Sequence, residues 1–172
     1  SVPHWESRGW YVVAAAAELG HAEGLVDASP DVEPDVDFGF YGKMTWRRSA
    51  MLDRLKNVMR IEPLDVPREK RDQMMRRCKV VVQILAEQTP AGVPCGMVSS
   101  TRCATALCFG RPVIAEPHPE PWPWDDVVDF FPTIEAFYEN AVIATRMWRD
   151  LHASQIERFA AKLNPEFCVG AP

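Results

Sequence analysis

Lys79-Val80-Val81-Val82-Gln83-Ile84-Leu85 is an apolar, largely β-branched run with almost no polar alternation. A strand exposed on one face would alternate, so this one is covered on both, as in a parallel sheet with helices above and below. The flanking segments agree with that reading. Upstream, Pro67 suits the first turn of a helix running to about Cys78, with Glu69 near its positive end. Downstream, a Gly- and Pro-containing loop from Ala86 to Val98 leads to Ser99 and Ser100, which introduce a small-residue helix ending at Gly110. Pro112-Val113-Ile114-Ala115 is a second buried strand, and Glu116 marks its C-terminal edge.

Further out the alternation continues. Val36 to Tyr41 reads as a strand closed by Gly42, and Thr45 caps a helix whose inner face holds Met51, Leu52, Leu55 and Val58. A short strand follows around Met59 to Leu64. Beyond Glu116, the segment Pro117 to Trp124 is too proline-rich to be helical, and Asp126 to Phe131 suits one more short strand. Thr133 opens the last and longest helix, with Ile134, Tyr138, Ala141, Thr145, Trp148, His152, Ile156 and Phe159 along one face. The expectation is an α/β fold: a single Rossmann-like, three-layer domain over residues 36–172, with a parallel sheet and a long C-terminal helix. Residues 1–35, rich in acids and prolines after Gly20, read as an arm or linker of unassigned role. Ligands of such sheets bind at the carboxyl ends of the strands, which here are Gly42-Lys43, Ala86 to Arg102 and Glu116 to Trp124.

Composition narrows the function classes. A chain of 172 residues has room for one well-filled core, and 47% hydrophobic with 25% charged residues is an ordinary globular mix. No apolar run reaches the roughly 20 residues of a transmembrane helix, and the N-terminus lacks the pattern of a signal peptide. Five unevenly spaced cysteines make a poor disulfide framework, and the four histidines are scattered, so buried thiols, a cytoplasmic setting and no metal site are expected. The net charge of −5 conceals a basic segment, Lys43 to Lys79, with twelve Lys or Arg against five Asp or Glu. One basic segment in an acidic chain argues against nucleic acid and fits a small anion or an acidic partner; a pair of solvated helices is the plain alternative.

The strongest local signal is Ser99-Ser100-Thr101-Arg102 at a helix start. Free backbone N–H groups and the helix dipole favour phosphate there, and Arg102 adds a bidentate donor. Gly42-Lys43-Met44-Thr45 repeats this at the end of the first strand, with Arg47 and Arg48 adding charge. The Gly-x-x-x-x-Gly-Lys-Ser/Thr loop, the Gly-x-Gly-x-x-Gly fingerprint and the Gly-x-Ser-x-Gly elbow are all missing, which removes support for ATP hydrolysis, NAD binding and α/β-hydrolase chemistry. Trp122 and Trp124 read either as platforms for a sugar or base or as anchors of the proline-rich loop.

The order of these segments resembles bacterial polysaccharide-type glycosyltransferases of the GT-B class. Phe40-Tyr41-Gly42 followed by Trp46-Arg47-Arg48 is similar to a family strand end and helix. Lys79-Val80-Val81-Val82-Gln83 resembles its "K-I-V-L-N" strand, and Arg102 to Glu116 its "R-x-x-x-A-L-A-x-G-x-P-V-V-S-E" segment. The resemblance implies the C-terminal, donor-binding half of such an enzyme. It places Gly42, Lys43, Ser100, Thr101 and Arg102 near the diphosphate of a nucleotide-sugar and Glu116 at the edge of the donor cleft. It also implies no cofactor beyond that donor substrate, and a second domain, chain or self-association to complete the cleft. The pattern departs where many members carry two glutamates, since Met97 and Thr105 stand there. A different class stays open beside it: a non-catalytic Rossmann-like module with a degenerate nucleotide cleft, whose surfaces bind protein.

Overall fold

The computed structural model describes residues 33–64, 66–92, 94–95, 99–116 and 124–162. Five strands form one parallel sheet: β1 (Val36–Phe40), β2 (Ile61–Pro63), β3 (Cys78–Gln83), β6 (Val113–Ala115) and β7 (Asp129–Phe130), in the order β2-β1-β3-β6-β7. A separate antiparallel pair, β4 (Glu87–Gln88) and β5 (Pro94–Cys95), rises from the loop after β3. The helices are α1 (Trp46–Lys56), α2 (Arg68–Arg76), α3 (Ser100–Cys108), α4 (Ile134–Arg146) and α5 (Trp148–Lys162).

The sheet is covered on both faces, as its β-branched strands demand. Phe38, Phe40, Val80, Val82 and Ile114 pack against Met51, Leu52 and Leu55 of α1 and Phe137, Ala141 and Ala144 of α4. Val81, Val113 and Ala115 pack against Met75 of α2, Cys103 and Leu107 of α3 and Phe159 of α5. The fold is therefore a three-layer Rossmann-like α/β domain. Among the described residues, no helix is long and apolar enough to cross a membrane.

The expected caps are present: the hydroxyls of Thr45, Ser99 and Thr133 accept from the N–H groups of Arg48, Arg102 and Ala136. Gly110 has φ +71°, the left-handed conformation that ends α3 without a Cβ clash. Several boundaries differ from the sequence reading. Val58, expected on the inner face of α1, lies past its end and is exposed. Pro67 is the N-cap residue of α2 rather than part of its first turn. The third strand stops at Gln83, because the carbonyls of Ile84 and Leu85 turn to arginines of α1. Only Asp129–Phe130 of the 126–131 segment is strand; before it, the N–H groups of Val127 and Val128 both return to the carbonyl of Trp124. The single helix expected from Thr133 to Phe159 is two, parted at Met147 (φ −109°, ψ 22°), with the 15-residue α5 the longer. The break lets α4 stay on the α1 face while α5 carries Ile156 and Phe159 to the other.

Trp124 is an anchor of this second face: it is buried and stacks on Phe159 with ring centroids 5.1 Å apart. It is no platform for a sugar, while Trp122 lies outside the described residues. Cys78, Cys103 and Cys108 are buried and form no disulfide; burial pushes the Cys78 thiol up to about 12, against an opposing pull from Arg111. Of the expected arm, residues 1–35, residues 1–32 lie outside the described residues, as do residues 163–172.

Candidate functional site: a cationic crevice at the switch point

In the order β2-β1-β3-β6-β7 the chain leaves β1 first toward β2 and then, through β3, toward the opposite edge. The crevice between β1 and β3 at their carboxyl ends is the topological switch point, where α/β sheets bind their ligands. The loop after β1 and the N-termini of α1 and α3 meet there.

Three consecutive carbonyls of the loop after β3 are held by the first turn of α1 and its cap. Thr45 donates its hydroxyl to the Ala86 carbonyl at 3.1 Å, Arg47 donates Nη1 to that of Leu85 at 2.7 Å, and Arg48 donates Nε to that of Ile84 at 2.8 Å. Arg48 also donates Nη1 to the Lys43 carbonyl at 2.7 Å. Glu116, at the end of β6, is 1% exposed and clasps Arg47 with both oxygens, through Nη1 at 2.8 Å and through Nη2, and it accepts the Leu85 N–H. Arg47 and Arg48, read from sequence as charge near a ligand, are thus internal struts. Glu116 has its oxygens turned into the same network.

Two other cations are differently placed. Arg102, on α3, lies against Gly42 so closely that a Cβ there would stand 2.8 Å from its Nη1. Its guanidinium sits over the Tyr41 ring, 5.3 Å from the centroid, where Arg71 also lies, at 4.9 Å, donating to the Tyr41 hydroxyl at 2.7 Å. Arg71 is paired with Asp72. Among the described residues, neither Arg102 nor the exposed Lys43 has a carboxylate partner. The cations crowd one another: the Arg48 guanidinium is held below its ordinary pKa by burial first and then by Arg102, partly offset by Glu116, with Arg47 lowering it further. Among the described residues, five cations (Lys43, Arg47, Arg48, Arg71, Arg102) stand against two carboxylates (Asp72, Glu116), an excess of positive charge that favours an anion.

The structure therefore brings Gly42 and Arg102 together, with Lys43 next in the chain and Ser100 and Thr101 in the first turn of the helix that carries Arg102. The first N–H groups of a helix have no intrahelical acceptor, so those two add donors directed along the helix axis. Sequence reasoning missed Tyr41 and Arg71 as members of this site. An aromatic side chain immediately before Gly42 in a strand-end loop was the available signal. No family model, no curated protein and no solved structure matches the chain.

Proposed function

We propose that this domain holds the diphosphate of a nucleotide-sugar, as the donor-binding half of a GT-B-like glycosyltransferase acting in the cytoplasm. The observation that carries the reading is the pairing of Arg102 with the bare Cα of Gly42 at the switch point, beside Lys43 and the start of α3. Glycine admits the Arg102 guanidinium to the backbone, the helix start supplies N–H donors, and two cations with no carboxylate partner among the described residues neutralise the phosphate. If sugar transfer occurs, these cations stabilise the departing diphosphate, with the acceptor and base supplied by a second domain or chain.

Thermal-shift titrations with UDP, GDP, ADP and CMP test it. The expected result is a concentration-dependent rise for one nucleotide diphosphate, lost in Lys43→Ala and in Arg102→Ala. A rise that persists undiminished in both variants sinks the assignment.

A second reading, a protein-interaction module, is favoured by a different observation. A depression of about 340 Å³ lies between β7, α4 and α5, lined by Ile114, Phe131, Ala144 and Leu151, with Ile143 and Met147 half exposed at its rim. No shift with any nucleotide transfers the weight to this reading.

A further inference from the structure

Beside the cationic mouth stands a large aromatic side chain with little to do in the fold. Trp46, the first residue of α1, is 75% exposed, and Met44, two residues before it, is 43% exposed. An exposed indole offers a large, rigid apolar face to a ligand. The backbone that carries it is fixed. Thr45 before it is bonded to the Ala86 carbonyl, and Arg47 and Arg48 after it are bonded to those of Leu85 and Ile84. The backbone position of Trp46 is thus fixed beside the crevice residues, and its side chain is left exposed. Trp46 is the fourth residue after Gly42, so even a fully extended chain places their Cα atoms within about 14 Å of each other. Lys43 lies between them and is exposed.

We propose that Trp46 is the ring-binding platform of this crevice. The ligand is then a ring joined to a phosphoryl group: the phosphate lies between Lys43 and Arg102, and the ring lies on the indole, with the Met44 thioether alongside. This rests on the anionic reading of the crevice and adds what that reading lacks, a source of discrimination between a bare phosphate and one carrying a ring.

Isothermal titration of the full chain separates the two claims. UDP is compared with pyrophosphate, and glucose 1-phosphate with inorganic phosphate, on the unaltered chain, Trp46→Ala, Trp46→Phe and Arg102→Ala. The expected result for Trp46→Ala is a loss of about 5- to 150-fold for a ring-bearing ligand, with affinity for its ringless counterpart unchanged. Trp46→Phe, which keeps an aromatic face, retains most of the binding. A loss confined to UDP identifies the base as the stacked ring, and one confined to glucose 1-phosphate identifies the sugar. Equal losses for ring-bearing and ringless ligands, or no loss at all, overturn the platform while leaving the anion site intact. Failure of pyrophosphate to bind, or binding indifferent to Arg102→Ala, removes the anion site and the platform together.

Discussion

Arg47 and Glu116 form a buried pair whose worth lies in what happens when one member is removed. Both are nearly inaccessible, and Glu116 also satisfies the Leu85 N–H. Glu116→Leu strands a guanidinium in the interior, and the expected loss of stability in urea unfolding is about 3–5 kcal/mol. Arg47→Met combined with Glu116→Leu removes the stranded charge. Its cost is expected to be well below the sum of the single losses, about 1–3 kcal/mol, set by the Leu85 N–H and carbonyl left without partners. Additive single losses would show that the two side chains do not act as a unit. None of this was legible in the sequence, where the partners lie 69 positions apart. Charges beside a strand-end glycine read as ligand contacts; only the path of the loop after β3 decides that Arg47 and Arg48 are consumed internally. Lys43 and Arg102 carried the same signal, and nothing in their residue types distinguished them.

Among the elements, β7 is the one that falls short. Among the described residues it pairs only with Ile114 and Ala115, and no strand lies beside the outer edge of β6 at Val113. Gln155 of α5 takes that place: its Oε1 accepts the Val113 N–H at 2.8 Å, and its Nε2 donates to the Val113 carbonyl and to Asp129, both at 2.7 Å. A fully buried amide thus continues the sheet with a side chain. Gln155→Leu keeps the volume and removes both partners of Val113. It is expected to cost about 2–4 kcal/mol, since each orphaned backbone group carries its own desolvation penalty. A loss under 1 kcal/mol in chemical denaturation would mean that the edge finds other partners. The strands and caps were legible because they follow local rules: β-branching for the strand over Lys79 to Leu85, hydroxyls at Thr45, Ser99 and Thr133 for helix starts. The Gln155 device was not, because a glutamine on a helix carries no mark of the face it is turned to. The break at Met147 was hidden for a similar reason: helical spacing continues across it, and only the need to cover two faces of the sheet interrupts the helix.

At the scale of the molecule, the two faces of the sheet are joined through α5, and His152 ties that helix to α3. Its Nε2 faces the Leu107 carbonyl at 3.0 Å, so that nitrogen carries the proton of the neutral ring. Burial holds its pKa below the ordinary 6.5, opposed by the bond to Leu107 and assisted by the charge of Arg111. The unfolded chain therefore binds the proton more readily than the folded one, and stability present above pH 6.5 is lost as the pH falls below it. Asp35, Asp37 and Asp53 are held below 3.8, so their contribution disappears only in stronger acid. The expected observation is a urea midpoint that drops between pH 7 and pH 5, and a flatter profile in His152→Gln. A slope unchanged by that substitution assigns the effect elsewhere. At this scale the sequence was most informative, since alternating buried strands and amphipathic helices admit few arrangements other than a covered parallel sheet.

The side chain of Gln155 standing in for a strand has a consequence for how the domain comes into being. On a ribosome the sheet strands are all made by Phe130, yet the outer edge of β6 stays unsealed until α5 has been synthesised and has cleared the exit tunnel. The nascent chain must carry an open, adhesive edge through that interval, so exposure to misassembly lasts until α5 is in place.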